Sequence, residues 1–295
     1  MQDKNNDKEE IRRAVRESYG KIAGNSSSVS ITDTGSACCT KQDISIKEEH
    51  KAETGISGCC GSGATTQQLS KLMGYSKEDI DSVPDGSNMG LGCGNPVALA
   101  SLEPGETVVD LGSGGGFDCF LAAKKVGDSG RVIGIDMTPD MISKARMNTQ
   151  KAGSDTVEFR LGEIEHLPVA DNTADIIMSN CVINLSPDKQ KVYDDAFRVL
   201  KPGGRLAISD VIATAPLPDD VRQDLELLSA CIGGAATIDE TVNMLEIAGF
   251  REIEIDVKEE SRKLISQWVS GKNKNAGDYV ASAYITAKKP AGGKS

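Results

Sequence analysis

The stretch VVDLGSGGGFD, residues 108–118, has the pattern of a buried strand, a glycine-rich turn and the start of a helix. Glycine lets the backbone adopt conformations closed to other residues and approach a ligand closely. The spacing Gly112-x-Gly114-x-Gly116 is tighter than the G-x-G-x-x-G fingerprint of dinucleotide-binding proteins. No Lys-Ser or Lys-Thr pair follows the glycines, which disfavours a P-loop. The stretch therefore predicts a ligand site at a strand end, and a nicotinamide-dependent enzyme is an alternative for the fold alone.

Strand and helix patterns alternate along the chain from this turn onward. Strand patterns occur at 107–112, 131–137, 157–162, 174–180 and 205–212, and helical patterns at 117–126, 139–152 and 187–200. We expect KPGG at 201–204 to end the last of these helices. The alternation predicts a parallel sheet covered by helices on both faces. Two further strand patterns, at 251–259 and 279–288, are expected to complete the sheet as an antiparallel edge hairpin.

The segments that flank this core differ from it in composition. Residues 9–23 place apolar side chains on one helical stripe, whereas the Ser-, Thr- and Gly-rich residues that follow carry two cysteine doublets. A segment of that composition buries little apolar surface, so we expect it to be mobile. We expect three regions: an N-terminal helix with a mobile cysteine-containing segment (1–67), a ligand-binding α/β core (68–214) and an α+β extension (215–295).

Charge and hydropathy exclude several classes of protein. The 295-residue chain has a formal net charge of −11 and no cluster of Lys and Arg, whereas proteins that bind nucleic acids usually present a basic face. No run approaches the ~18 apolar residues of a membrane span. The first residues, MQDKNNDKEE, are polar and charged, unlike a secretory signal. We therefore expect a monomeric cytoplasmic enzyme that acts on a small molecule and binds neither nucleic acid nor membrane.

The eight cysteines are the most informative part of the composition. A disulfide scaffold would be smaller and secreted, so thiols are expected here. Cys119 lies in the first turns of a predicted helix, where a packing role is expected. Cys93 lies in a glycine-bounded loop that we expect to be too exposed for the core, and Cys231 lies on a predicted helix at 217–234. A zinc site built from the doublets and His50 is disfavoured, because zinc ligands are usually spaced C-x₂₋₄-C.

An acidic residue ends the second predicted strand. Asp136 lies 24 residues beyond Gly112, where a carboxylate can accept hydrogen bonds from the ribose hydroxyls of an adenosine. Together VVDLGSGGGFD, GIDM and RVLKPGGRLAISD resemble the class I methyltransferases that use S-adenosylmethionine, over roughly residues 70–215. The resemblance implies a Rossmann-like fold with a mostly parallel seven-stranded sheet and S-adenosylmethionine as cofactor.

The same resemblance implies where the cofactor lies. The glycine loop would support its methionine moiety, Asp136 would hold its ribose, and LGEIEHLP (161–168) would lie along its adenine. The expected cofactor-binding residues are Asp110, Gly112, Ser113, Gly114, Gly116, Asp136, Met137, Ile164, Glu165 and Asn180.

The stretch IIMSNCVINLSPDK, residues 176–189, bears on the acceptor of the methyl group. Asn180 and Cys181 leave the fourth strand at the carboxyl edge of the sheet, where ligands of such folds bind. The stretch is not the Asn/Asp-Pro-Pro-aromatic motif of methyltransferases that act on amines in DNA, and it offers no evident His or Lys as a base. A thiol-seeking atom with its own lone pair needs no base, and trivalent arsenic is such an atom.

Three motifs resemble the arsenite methyltransferases over nearly the whole chain: YSKEDIDSVPDGSNMGLGCGNP, SNCVINLSPDK and SACIGGA. The resemblance implies that Cys93, Cys181 and Cys231 bind trivalent arsenic, with lowered thiol pKa values near the cationic sulfonium. It also implies that Cys60, or its neighbour Cys59, pairs transiently with Cys93 during turnover. A thiol reductant of the thioredoxin or glutathione type would then restore the thiols.

Two other functions are compatible with the sequence. One is a methyltransferase for a small organic acceptor, such as a quinone precursor, with Cys181 as a packing residue. The other is an arsenic-sequestering protein with a vestigial cofactor site, although the intact DLGSGGG and GIDM motifs disfavour decay. Antimony and selenium are also compatible with soft thiolates as acceptors. The sequence does not distinguish Cys59 and Cys60 from Cys38 and Cys39 in a redox step.

Overall fold

The computed structural model describes residues 2–25, 65–266 and 275–292. Both cysteine doublets and His50 lie outside the described residues. The expected mobility of that segment and the redox role expected for Cys60 or Cys59 therefore stay predictions.

Seven strands form one sheet whose bounds agree closely with the sequence patterns. They are β1 Thr107–Leu111, β2 Arg131–Asp136, β3 Val157–Leu161, β4 Ala174–Asn180, β5 Leu200–Ala213, β6 Arg251–Lys258 and β7 Val280–Lys288. Their order is β3-β2-β1-β4-β5-β7-β6, and β7 is antiparallel to both of its neighbours while the other pairs are parallel. The predicted α/β class with a mostly parallel seven-stranded sheet is confirmed.

Helices cover both faces of this sheet. They are α1 Gln2–Asn25, α2 Thr66–Leu72, α3 Lys77–Asp81, α4 Pro96–Ala100, α5 Phe117–Val126, α6 Pro139–Ala152, α7 Lys189–Val199, α8 Asp219–Arg222, α9 Leu225–Ser229, α10 Ile238–Ala248 and α11 Arg262–Ile265. Short 3₁₀ turns occur at Ile183–Leu185, Glu259–Ser261 and Ala276–Tyr279. In the part of the chain that the structure describes, none of the helices combines the length and the apolar character that a membrane crossing requires.

The KPGG sequence does not end a helix, contrary to the prediction. Helix α7 ends at Val199, and β5 runs through all four of these residues. Gly203 has φ +83°, and its N–H donates to the carbonyl oxygen of Lys289 at 2.9 Å. The N–H of Lys289 in turn donates to the carbonyl oxygen of Gly204 at 2.8 Å. The strand begins early because these two glycines pair with the backbone just beyond β7.

The region 217–234 is also less helical than predicted. It contains only α8 and α9, and Cys231 lies beyond the end of α9 at φ +63°. The side chain of Asp224 accepts hydrogen bonds from the N–H groups of Glu226 (2.9 Å) and Leu227 (3.2 Å). An N-cap at this position starts a new helix and thereby breaks the continuous one.

Apolar side chains pack on both faces of the sheet and fix the positions of its strand ends. One cluster lies between the strands, α7 and α10, and a second lies between the strands, α5 and α6. A third cluster joins Val15 of α1, Val211 of β5 and Leu228 of α9, and it contains three of the cysteines. The thiols are therefore part of a packed core that adjoins the carboxyl edge of the sheet.

Candidate active site

A crevice opens at the carboxyl ends of β1, β2 and β4, with about 1360 Å³ of empty space including its open mouth. That space is large enough for a nucleoside cofactor and a small acceptor. Most of the residues predicted to bind the cofactor or arsenic line it: Gly112, Ser113, Gly114, Asp136, Met137, Ile164, Glu165, Asn180, Cys181 and Cys231. Asp110, Gly116 and Cys93 lie behind this lining.

The glycine turn lies on one wall of the crevice and packs tightly against the protein behind it. A Cβ at position 115 would lie 2.9 Å from the carbonyl oxygen of Ser87, and one at position 116 would lie 2.6 Å from Phe159 Cζ. Gly116 also has φ +94°, which favours glycine. The buried Ser113 Oγ has no hydrogen-bond partner among the described residues. A crevice wall of glycine backbone with an unpartnered hydroxyl is compatible with the methionine moiety of the predicted cofactor.

The carboxylate of Asp136 is held rigidly at the wall of the crevice. The N–H of Gly114 donates to its Oδ2 at 3.0 Å, and the N–H of Thr138 donates to its Oδ1 at 2.8 Å. Burial raises the pKa of Asp136, and the backbone hydrogen bonds lower it in part. Each oxygen retains a further lone pair. This carboxylate is therefore placed to accept hydrogen bonds from ribose hydroxyls.

A second buried acid, which the sequence analysis did not single out, also lines the crevice. Asp118 Oδ1 accepts a hydrogen bond from the hydroxyl of Tyr75 at 2.6 Å, and its Oδ2 accepts one from Asn180 Nδ2 at 3.1 Å. Burial raises the pKa of Asp118 to about 6. Its carboxylate suits a cationic ligand such as a sulfonium or an ammonium group. Asp118 lies in the first turn of the helix that follows the glycine turn, and this position in the sequence could have identified it as a site residue.

The side chain of Asn180 connects this acid to the loop that carries Cys93. Asn180 Oδ1 accepts a hydrogen bond from the N–H of Cys93 at 3.0 Å, and its Nδ2 donates to the carbonyl oxygen of Gly94 at 2.9 Å. Gly92 has φ +122°, and a Cβ there would lie 2.7 Å from Asn180 Oδ1. The loop therefore fits against the end of β4 only with glycine at position 92.

The three predicted arsenic-binding cysteines come together at the inner end of the crevice. Cys231 Sγ donates a hydrogen bond to the carbonyl oxygen of Cys181 at 2.8 Å. Cys93 Sγ lies within 4.8 Å of Cys181 Sγ. Cys93 is only 8% exposed, so the prediction of an exposed loop is wrong. The hydrogen bond to Asn180 and a contact of Cys93 Sγ with Ser209 Oγ at 3.7 Å hold the loop against the sheet.

Two of these cysteines have left-handed backbone conformations. Cys181 has φ +58° and Cys231 has φ +63°. This region costs a residue with a Cβ roughly 1–2 kcal/mol. Such conformations persist where the surrounding structure enforces them, and they concentrate at functional sites. The hydrogen bond from the N–H of Cys181 to the carbonyl oxygen of Ser209 at 2.8 Å is part of that enforcement.

The pKa values of the two thiols that line the crevice are raised by the protein groups around them, and the lowering expected beside the cationic sulfonium stays a prediction. The pKa of Cys181 is raised well above its ordinary value by hydrogen bonding to Cys231 and Cys93 and by burial. The hydrogen bond with Cys181 lowers the pKa of Cys231, but burial and the nearby carboxylate of Asp210 outweigh it, so that pKa is also raised. These cysteines are therefore neutral thiols at neutral pH.

Helix α1 forms a further wall of the crevice through Arg12, Val15 and Tyr19. An Arg12 guanidinium nitrogen, Nη2, donates to Glu165 Oε1 at 3.2 Å, and Ser186 Oγ donates to the same oxygen at 2.8 Å. The apolar stripe of this helix is predicted by the sequence, but its position over the crevice is not. That position depends on contacts between residues far apart in the chain.

Cys119 has the packing role that the sequence predicts. It is fully buried, and its Sγ donates a hydrogen bond to Asp110 Oδ2 at 3.1 Å behind the glycine turn. Burial raises the pKa of Asp110. The expected contact of Asp110 with the cofactor stays a prediction.

Comparison with known proteins places the fold and the sequence in a family. Residues 102–249 match the family model of a methyltransferase domain. An arsenite methyltransferase of Halobacterium salinarum is 51% identical over 97% of this chain, which covers 68% of that protein. An arsenite methyltransferase of Aquipseudomonas alcaligenes is 38% identical over 69% of this chain, which covers only 59% of that protein.

One solved structure shares the fold at moderate sequence identity. The crystal structure of an arsenic(III) S-adenosylmethionine methyltransferase from Chlamydomonas reinhardtii has a TM-score of 0.57 and 30% identity to this chain. The match covers 75% of this chain and 73% of that one. This chain has the seven-stranded class I fold, and 97% of it aligns with the Halobacterium protein. The chain therefore belongs to the arsenite methyltransferase family.

Proposed function

We propose that this chain transfers methyl groups from S-adenosylmethionine to trivalent arsenic bound by Cys93, Cys181 and Cys231. The observation that carries the proposal is the convergence of three thiols, distant in sequence, at one end of a crevice lined by a glycine turn and Asp136. Membership of the arsenite methyltransferase family supports the same reaction.

Neutral thiols suit the first step, which is capture of arsenite. As each cysteine sulfur bonds to arsenic, one arsenic–oxygen bond breaks, and the thiol proton leaves with the hydroxide as water. Three exchanges would convert As(OH)₃ into a tris-thiolate and three water molecules without a separate base. The raised pKa values of Cys181 and Cys231 are therefore compatible with this role, because each thiol supplies the proton that its leaving group needs.

The crevice then orients the two reactants. When bound, S-adenosylmethionine supplies an electrophilic methyl group on a sulfonium. Ser113, Asp136 and Asp118 would hold the cofactor, and the cysteines would direct the arsenic lone pair into the crevice. Fixing two reactants in this way can lower a barrier by about 7–11 kcal/mol in well-aligned systems. All three cysteines are buried at this end of the crevice.

Several finer features belong to the same proposal. The products would be mono- and then dimethylated arsenicals, and a thioredoxin- or glutathione-type reductant would reduce the disulfide between Cys93 and Cys60 or Cys59 back to two thiols. We also propose a cytoplasmic monomer. The division into regions 1–67, 68–214 and 215–295, with arsenic binding shared by the last, is part of this proposal.

One assay tests the proposal against its alternatives. Purified protein is incubated with arsenite, labelled cofactor and a thiol, and the arsenic species are separated by chromatography. We expect label in mono- and dimethylated arsenicals only when arsenite is present. Arsenite binding without methylated product would favour a sequestering protein. Cofactor turnover on a quinone precursor, with none on arsenite, would favour the organic acceptor.

A further inference from the structure

A buried carboxylate lies beside the thiols and has no part in the proposed arsenic site. Asp210, on β5, is 3% exposed. Its Oδ2 accepts a hydrogen bond from the N–H of Ile183 at 3.0 Å, and its Oδ1 accepts hydrogen bonds from Asn184 Nδ2 (2.9 Å) and the N–H of Val211 (2.7 Å). These bonds fix the carboxylate in one orientation at the end of the strand.

This carboxylate and two of the thiols form a group with the dimensions of a metal site. Cys93 Sγ, Cys181 Sγ and a carboxylate oxygen of Asp210 lie within 4.8 Å of one another. Cys231 is outside this group. Zinc–sulfur bonds of about 2.3 Å and zinc–oxygen bonds of about 2.0–2.2 Å in a tetrahedron place ligand atoms roughly 3.5–4 Å apart. Small rotations of these side chains would bring the three ligand atoms to the shorter spacing of a zinc site.

Two overlapping ligand sets therefore share Cys93 and Cys181. Adding Cys231 gives three sulfurs, which suits trivalent arsenic. Adding Asp210 gives two sulfurs and one oxygen, a mixed set typical of zinc and related divalent cations. We propose that Cys93, Cys181 and Asp210 bind a thiophilic divalent cation, with Zn²⁺ as the representative, and that this cation competes with arsenite for the two shared thiols.

Charge and proton balance are compatible with such a site. On binding, the two thiol S–H bonds break, two sulfur–zinc bonds form and two protons pass to the buffer, with no change of oxidation state. The two thiolates and the carboxylate carry three negative charges. The ammonium group of Lys189 interacts with Asp210 and is hydrogen-bonded to the carbonyl oxygen of Ser186 at 3.3 Å. Together with the divalent cation, Lys189 neutralises the site, while it also opposes very tight binding of the cation.

Direct metal binding tests this site, and it does so independently of methylation. Zn²⁺ is titrated into the full-length reduced protein against a chromophoric chelator, and Cd²⁺ is used to detect the metal–thiolate absorption band. We expect one Zn²⁺ per chain, and about tenfold or greater loss of affinity in Asp210→Asn. Asp175→Asn is the matched control, because Asp175 pairs with Lys201 on the same sheet and does not contact the thiols. It should bind Zn²⁺ like the parent protein.

A second variant separates this site from the proposed arsenic site. Cys231→Ser should bind Zn²⁺ within about twofold of the parent but lose arsenite, whereas Asp210→Asn should lose Zn²⁺ but retain arsenite within about twofold. Circular dichroism on both variants verifies that they are folded. Equal Zn²⁺ affinity in the parent and in a folded Asp210→Asn would overturn the proposal. Equal loss of Zn²⁺ in the two variants would overturn it as well.

The competition between Zn²⁺ and arsenite rests on the proposed arsenic site, and a separate binding measurement tests it. Arsenite retained after gel filtration is quantified with and without prior loading of Zn²⁺. We expect Zn²⁺ to raise the apparent arsenite dissociation constant of the parent about tenfold or more, and to have little effect on Asp210→Asn. If Zn²⁺ leaves the apparent arsenite dissociation constant of the parent unchanged, the two ligands do not compete and this part of the proposal is wrong. Failure of arsenite to bind at all would instead contradict the proposed function, while the zinc titration would still stand.

Discussion

Cys231 Sγ donates a 2.8 Å hydrogen bond to the backbone carbonyl oxygen of Cys181, although fifty positions separate the two residues in the chain. Both have positive φ angles, and both lie in one buried cluster with Cys93. Serine could retain a comparable hydrogen bond at either position, so Cys→Ser variants remove the sulfur while largely retaining the local geometry.

We expect Cys181→Ser and Cys231→Ser each to lower arsenite methylation by about 100-fold or more, because a hydroxyl does not replace a thiolate ligand of arsenic. Cofactor affinity, measured by isothermal titration, should stay within about twofold of the parent. Cys119→Ser is the control, since serine can still donate to Asp110 and this thiol packs in a different apolar cluster from the other three. Robust turnover by either of the first two variants would contradict the thiol site.

Asp136→Ala should weaken binding of the cofactor. Loss of hydrogen bonds to a charged group costs about 1.5–3 kcal/mol, which corresponds to roughly a 10–100-fold higher dissociation constant. Isothermal titration of S-adenosylhomocysteine measures this directly. Asp155→Ala, an exposed position at the opposite end of the sheet, should bind like the parent. An unchanged affinity in Asp136→Ala would contradict the ribose assignment.

Cofactor affinity should fall at low pH. The pKa of Asp118 is about 6, so this group loses its negative charge as the pH drops through that value. A cationic ligand prefers the carboxylate, and affinity should therefore decline by up to about tenfold per pH unit below the pKa. Titrations from about pH 8 to about pH 5 measure the decline.

Protein unfolding is not expected to cause that decline. A raised pKa in the folded state means that Asp118 favours folding at low pH, and that this contribution is lost as the pH rises through about 6. Asp118→Asn should bind the cofactor more weakly than the parent above about pH 6, and with a flatter pH profile. A parent-like pH profile in Asp118→Asn would contradict the role of this carboxylate.

Gly92→Ala should disrupt the position of Cys93. The added Cβ would lie 2.7 Å from Asn180 Oδ1, in a backbone with φ +122°. We expect arsenite methylation to fall about tenfold or more as the Cys93 loop moves away from β4. Gly153→Ala is the matched control, since φ is +58° there and no atom lies within 4 Å of the added Cβ. Both variants should lose about 1 kcal/mol of stability, measured by urea unfolding, but only the first should lose activity.

Deleting residues 1–66 should impair the first methylation. The deletion removes Cys60 and Cys59 together with the α1 wall formed by Arg12, Val15 and Tyr19. Arg12→Gln separates the two effects, because it breaks the ion pair with Glu165 and keeps every cysteine. We expect weaker cofactor binding in both variants and loss of thiol-dependent turnover in the deletion alone. Full first-step activity in the truncated protein would make residues 1–66 dispensable.

Local patterns in the chain were enough to predict most of the fold. The glycine turn at 112–116, the strand at 174–180 and the helices at 117–126 and 139–152 follow from hydrophobic period, glycine and proline, which act over a few residues. The two wrong secondary-structure predictions have different causes, one a contact with a residue far along the chain and the other a local helix cap. KPGG joined β5 through pairing with Lys289, and the cap at Asp224 divided the helix predicted around Cys231.

What the sequence alone determined is the identity of the chemistry: a cofactor loop, an acid at the end of the next strand and three cysteines in recognisable motifs. Only the tertiary structure decided that all three thiols are buried, and that Cys181 and Cys231 have raised pKa values and left-handed backbone angles. It also decided that Asp210 lies beside two of the thiols, that Asp118 lines the crevice and that α1 covers it. The physical reason is that pKa values and left-handed backbone angles depend on burial and on hydrogen bonds between residues far apart in the chain. A pattern read over neighbouring residues does not contain those contacts.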